Sequence, residues 1–296
     1  MRRTAITDAL MRQGGGSAMN YKTPSEIASA AVNAAAAKTR LSILQMIVMG
    51  FLAGAYVAMG GCFMTVVTQD AAAVAGAGIS KLIGGLAFSL GLMLVVSAGG
   101  ELFTGNCIMP IAILSGRVTA AAARRNLVVV YFSNMAGGVF FALLIYMSGI
   151  LSPAAAQNAL SIAAGKVSIP LSEMLIRGIL CNWFVALAVW MAFGALDMTG
   201  KFIVCSLPVT AFVAMGFEHS VANMYFIALG LFLKQDAGVL SRCAVPPEAM
   251  EKLTISGYVG NLIPVTAGNI IGAAVLVGIL YFIVFRKQLV EETMQK

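Results

Sequence analysis

The sequence predicts an all-α membrane protein: six transmembrane helices arranged as two inverted three-helix repeats, with the second and fifth helices broken. Three observations carry this expectation. Of the 296 residues, 60% are hydrophobic and 10% charged, where a soluble domain has about a quarter charged. Mean hydropathy is +0.91. Six apolar runs are long enough to cross a bilayer, and polar motifs of the first three recur at matching spacing in the last three.

The runs cover about residues 41–67, 82–114, 127–151, 171–196, 202–233 and 255–285. One crossing takes about 20 residues, so the second and fifth runs are too long for a straight span. Each also holds residues that disrupt helices: Gly99, Gly100, Gly105 and Pro110 in the second, Pro208 and Gly216 in the fifth. Both are therefore expected to break. Ahead of the first run, residues 1–21 are polar, include Gly14-Gly15-Gly16-Ser17 and lack the apolar core of a signal peptide. They read as a disordered tail or as an upstream start, with Met19 as the natural one. Pro24 to Lys38 is a short amphipathic helix candidate for the membrane surface. The expected organisation is a cytoplasmic tail over 1–40, a transmembrane domain over 41–286 and a cytoplasmic tail over 287–296.

Charge sets the expected orientation. Thirteen of the 19 Lys and Arg fall on the side that holds both termini, including Lys38, Arg124, Arg125, Lys201 and Arg286; six, including Lys81 and Lys166, fall on the other. The richer side is cytoplasmic, so both termini are expected inside. The formal net charge of +7 sits at the ends of apolar runs, which excludes nucleic acid as the expected partner and names lipid instead. The five cysteines form no CxxC pair. Four lie inside apolar runs and Cys243 in a loop, so they read as small hydrophobes, with no metal site and no cofactor expected.

The repeat is legible residue by residue. Gly50 to Ala58 resembles Gly178 to Ala186. Glu101 and Asn106 have the spacing of Glu218 and Asn223. Asn126, Asn134 and Gly137 have the spacing of Asn261, Asn269 and Gly272. An odd number of spans per copy forces the second copy to enter from the opposite face, and inverted repeats of this kind place a substrate path near the midplane, at broken helices.

Polar and ionisable groups at membrane depth line a cavity or pair with each other. Glu101, Thr104, Asn106, Asn182, Glu218, His219, Asn223 and Asn269 all fall within apolar runs. His219 is the single histidine; a lone buried histidine is ordinarily structural, but this one sits on an expected helix break. Glu101 and Glu218 occupy equivalent places and read as acceptors for backbone N–H groups freed at the breaks. Asn126, Asn134 and Asn261 read as helix-packing residues.

These segments resemble the formate/nitrite transporter family over about residues 23–285. The most specific pieces are Lys81 to Gly85, Glu101 to Asn106, Gly178 to Trp183, Gly216 to Asn223 and Asn261 to Asn269. The resemblance implies an aquaporin-like protomer in a homopentamer, one pore per protomer, in a prokaryotic plasma membrane. It implies two hydrophobic slits: Phe88, Leu92 and Asn269 on the cytoplasmic side, Phe103 and Phe212 on the periplasmic side. Leu102 to Gly105 form the loop that breaks span two, and Thr104 and His219 face each other between the slits. Lys166, in the external loop, matches a lysine placed to attract anions, and Asn182 a polar residue of the centre. No Asn-Pro-Ala triplet occurs, so an aquaporin itself fits poorly.

The implied substrate is a small monovalent anion of a weak acid: formate first, with nitrite or hydrosulfide as alternatives. Leaving water costs an anion far more than its neutral acid. Imidazole ordinarily titrates near 6.5, so His219 is expected to donate a proton to the passing anion. An intramembrane enzyme would need a nucleophile–base pair or a metal cluster, and one histidine supplies neither. The remaining alternative is a membrane scaffold or sensor that docks a partner through residues 1–40.

Overall fold

The computed structural model describes residues 21–242 and 244–295. The polar tail with its alternative start at Met19, and the loop position of Cys243, lie outside the described residues apart from Tyr21. No strand occurs among the described residues; every regular element is a helix.

Helix α1 (Pro24–Thr39) opens with a capping box, in which the Thr23 side chain accepts from Glu26 N–H and Glu26 reaches back to Thr23 N–H; Pro24 takes the first helical position. A second capping box, Ser42 with Gln45, starts α2 (Ile43–Val67). Helix α3 (Ala71–Leu94) runs into one π turn, Val95–Gly99. Short α4 (Phe103–Asn106) and α5 (Pro110–Leu114) follow. Helix α6 (Ala120–Ser148) begins at a Thr119 cap and ends at Gly149, whose φ of 62° is the left-handed geometry that closes a helix.

The second half opens in the same way. Helix α7 (Pro153–Ser168) starts at a Ser152 cap followed by proline, as α1 starts at Thr23 and Pro24. Then come α8 (Leu171–Gly194), α9 (Met198–Ala214) and α10 (Ser220–Leu233). After α11 (Ala237–Leu240) and α12 (Pro247–Lys252), α13 (Ile255–Ala273) continues through a π turn, Ala274–Ile279, into α14 (Leu280–Met294).

Five of the described helices are long and apolar enough to cross a membrane: Ile43–Val67, Ala71–Gly99, Ala120–Ser148, Leu171–Gly194 and Ile255–Met294. One boundary differs most from the sequence expectation, and the expected break of the fifth run is present. The second run is helical from Ala71, not from near residue 82, and Gly76, whose φ of 82° and ψ of 160° are not helical, kinks it near its start. The fifth run is no single crossing helix. At 1.5 Å per residue α9 is about 25 Å and α10 about 21 Å long, each short of a hydrocarbon core of about 30 Å.

Both breaks have the same anatomy. Gly99 (φ 91°) ends the π turn and Gly100 is extended; Gly216 (φ 75°) ends α9 before residues 217–219 leave helical geometry. A freed backbone group in lipid needs an internal partner. At the first break Asn134 supplies it: Nδ2 donates to Glu101 O at 2.8 Å and Gly50 O at 2.7 Å, and Oδ1 accepts from Phe103 N at 2.9 Å. At the second, Asn269 Nδ2 donates to Glu218 O at 2.9 Å and Gly178 O at 2.8 Å, and its Oδ1 accepts from Ser220 N at 2.9 Å. Glu101 N donates to Met49 O and Glu218 N to Arg177 O. These partners hold matching positions in the two halves.

The helices that carry the asparagines pack closely on those that carry the accepting glycine carbonyls. A Cβ on Gly137 would strike the Phe51 carbonyl, and one on Gly272 the Ile179 carbonyl, so α2 meets α6, and α8 meets α13, backbone to backbone. Asn134→Ala and Asn269→Ala should each cost roughly 1–3 kcal/mol of stability per orphaned buried group and so lower the thermal unfolding midpoint in detergent. An unchanged midpoint for both would mean that these bonds do not hold the breaks.

Candidate functional site

Two buried carboxylates fix the segments around the breaks. Glu101 and Glu218 are 3% and 4% exposed. Lys38 Nζ lies 2.8 Å from Glu101 Oε1 and 2.8 Å from Asn106 Oδ1; Asn106 Nδ2 donates to Glu101 Oε2 at 2.7 Å and to Asn126 Oδ1 at 2.8 Å. In the other half Lys166 Nζ lies 2.9 Å from Glu218 Oε1, and Asn223 Nδ2 donates to Glu218 Oε2 and to Asn261 Oδ1, both at 2.7 Å. Asn126 and Asn261 close each set by donating to the carbonyls of Lys38 and Lys166. Burying a carboxylate requires such a partner.

Two sequence expectations change here: the carboxylates of Glu101 and Glu218 accept from lysine and asparagine side chains, not from backbone N–H groups freed at the breaks, and Lys166 changes place. Lys166 is not a free lysine of an external loop. It stands near the end of α7, and Glu218 balances its charge. Lys38 is a site residue that the sequence reading does not single out, although it sits near the end of α1 as Lys166 does in α7. The signal was present: a Thr-Pro or Ser-Pro start followed within about fifteen residues by lysine.

The centre lies between the two breaks. His219 is the N-cap of α10, and its Nδ1 accepts from Ala222 N at 3.1 Å. A neutral ring that accepts at Nδ1 carries its hydrogen on Nε2. Nε2 stands 2.9 Å from Thr104 Oγ1, so the ring donates and the threonine hydroxyl accepts. The hydroxyl hydrogen is left to point elsewhere. Asn182 steadies this contact from α8, with Nδ2 donating to Thr104 O at 3.1 Å and Asn269 O at 2.7 Å. Asn182 Oδ1 has no partner among the described residues.

Two cavities approach this pair. One, of about 270 Å³, lies beside α1 and is lined by Lys38, Leu102, Gly105, Asn106, Phe193 and Lys201, among others. The other, of about 180 Å³, is lined by Phe88, Lys166, Phe212, Glu218, His219 and Phe226 with their neighbours. Thr104 and His219 are 0% and 4% exposed. Leu92, one turn beyond Phe88 on α3, is buried as well.

The aromatic groupings depart from expectation. Phe212 is joined by Phe88, not Phe103: the Phe88 and Phe212 rings meet edge-on at 6.1 Å, Phe226 stacks on Phe88 at 6.1 Å, and Phe212 lies 6.1 Å from the His219 ring. Phe103 turns the other way, edge-on to Tyr131 at 4.9 Å, in a lateral groove. Leu102 lines the α1-side cavity and its neighbour Phe103 does not, because adjacent residues of the extended-to-helix turn face different directions. Asn269 lines neither of these two cavities; its amide is committed to the second break.

Known proteins are similar to this chain in sequence and in fold. The sequence profile described as Formate/nitrite transporter matches residues 25–283. A probable formate transporter of Methanothermobacter thermautotrophicus is 41% identical over 287 residues, spanning 91% of this chain and 99% of the relative. The formate channel FocA of Escherichia coli K12 is 36% identical, over 90% of this chain and 95% of that one. A solved structure described as a pentameric formate channel with formate bound superposes with a TM-score of 0.75 at 34% identity, covering 82% of this chain and 98% of the other. A solved FNT family ion channel gives 0.75 at 30% identity, covering 87% and 98%. With a profile match across most of its length and relatives of this identity, the chain belongs to the formate/nitrite transporter family.

Proposed function

We propose that the protein is a membrane channel for small monovalent anions of weak acids, formate first, with nitrite and hydrosulfide as the alternative substrates within the family. Members of this family are transporters and channels, not enzymes. The observation that carries the reading is the Thr104–His219 contact, buried between two cavities that approach it separately. The proposed assembly is a homopentamer with one pathway per protomer, as in the solved pentameric relative, in a prokaryotic plasma membrane with both termini cytoplasmic. The proposed topology is six spans in two inverted halves, α1–α6 and α7–α14. The duplicated asparagine and glutamate bonds support it.

In this reading an anion enters a cavity and meets an apolar constriction, Phe88 and Phe212 on the α7 side or Leu92 and Leu102 on the α1 side. A bare charge does not pass such a barrier readily, but a neutral acid does. Thr104 turns its hydroxyl hydrogen to the anion, and His219 backs it through Nε2–H. Proton donation follows when the ring has taken a second proton. That proton must reside on Nδ1, so the bond from Ala222 N–H opens as the ring loads. The Nε2 proton passes to the anion, the neutral acid leaves, and the ring is left neutral with its hydrogen on Nδ1; it regains its capping form when Nε2 takes a proton from water and Nδ1 releases one. Lys166, balanced by Glu218, holds that carboxylate in place.

Formate uptake into proteoliposomes should vary with pH in the wild type. His219→Asn should lower it roughly 10- to 100-fold, as expected for a lost hydrogen bond to a charged group, and flatten the pH profile. An unchanged rate and profile would sink the histidine's role. Thr104→Ala should slow uptake while Thr104→Ser restores most of it; equal rates for the two would remove the hydroxyl from the path. Phe88→Ala and Leu92→Ala should admit larger carboxylates such as lactate. Selectivity equal to wild type would argue against both constrictions.

A further inference from the structure

The α1-side cavity holds a lysine that the duplicated architecture does not explain. Lys201, on the first turn of α9, lines that cavity together with Leu102 and Lys38. Lys38 is committed to Glu101 and Asn106. Lys201 Nζ makes no hydrogen bond or ion pair with any described residue. Asp197, one turn earlier, caps Gly200 N–H with its carboxylate and forms no bridge to Lys201. The register that aligns Glu101 with Glu218 aligns Gly84 with Lys201. Gly84 lies against side chains of Met64 and Thr68, so the first half has no charge at this place. A lysine needed only to build the fold would recur as Lys38 and Lys166 do.

The charges of the two cavities therefore differ. On the α7 side Lys166 is balanced by Glu218. On the α1 side Lys38 is balanced by Glu101, and Lys201 leaves one positive charge over. An uncompensated charge in a low-dielectric recess raises the local concentration of anions and guides them in.

We propose that Lys201 forms an anion-capture site in the α1-side mouth, holding a small monovalent carboxylate before it reaches Leu102 and Thr104. The site rests on the channel reading and adds direction to it: capture is tighter from the α1 face, the cytoplasmic one in the proposed topology, than from the α7 face.

The test measures initial formate flux in right-side-out and inverted membrane vesicles, at low and high ionic strength, for wild type, K201Q and K201R. At low salt, K201Q should raise the half-saturating formate concentration at the α1 face about fivefold, the effect of one partly screened charge at close range. Maximal flux and the half-saturating concentration at the α7 face should change little. K201R should restore the wild-type value, and high salt should erase the difference because it shortens the screening length. Pentamer yield on size exclusion separates an assembly defect from a capture defect. A K201Q protein that assembles and keeps the wild-type half-saturation at the α1 face overturns the capture site while leaving the channel reading intact. A loss equal at both faces, or one that salt does not change, also overturns it. A wild type that moves no monocarboxylate overturns both.

Discussion

A backbone that leaves helical geometry within a membrane must find its hydrogen bonds inside the protein. The chain leaves it twice, and each time one asparagine amide meets the need. Asn134 and Asn269 each accept from the first N–H of the resumed helix and donate to two carbonyls, one at the break and one on a neighbouring helix. The rest of the centre depends on those six bonds. They set where α4 and α10 begin, and so where Thr104 and His219 stand. The close helix pairing at Gly137 and Gly272 brings the accepting carbonyls within reach.

The same economy governs charge. Each break carries a glutamate too deeply buried to stand alone, and each is met by a lysine from a helix that precedes its half of the bundle. Helix α1 is thus more than a surface anchor: through Lys38 it ties the chain ahead of the bundle to the first break. Gln288 and Glu292 of α14 also bond Ser29 of α1. Charges so paired contribute little field of their own, which leaves Lys201 as the exception in the α1-side cavity.

Much of this was legible in the sequence because the constraints are local in spacing. Glutamate five residues before asparagine, and asparagines eight apart on one helix, follow from a helical face and a helix break, and both patterns occur twice. The positions of Glu101, Asn134, Glu218 and Asn269 could therefore be read directly. What could not be read depended on direction rather than spacing. Phe103 and Phe88 are both apolar residues near the centre, yet one turns to Tyr131 and the other to Phe212; only the turn geometry at Leu102 decides between them. Lys38 and Lys166 looked like surface charges because their partners lie 63 and 52 residues away. The capping role of His219 Nδ1 was hidden for a similar reason, since histidine is not a residue that sequence reading expects at an N-cap.

The proposed pathway joins these parts: two cavities, apolar rings around the centre, and a histidine whose single exchangeable hydrogen faces Thr104. On the proposed channel reading, such a centre admits an anion by converting it to its neutral acid. The most direct measurement follows formate and protons together, with labelled formate and an internal pH dye in the same proteoliposomes under a clamped membrane potential. The account predicts one proton entering with each formate, and a flux insensitive to voltage. Formate entry without accompanying protons, driven by voltage as a bare anion would be, would contradict it.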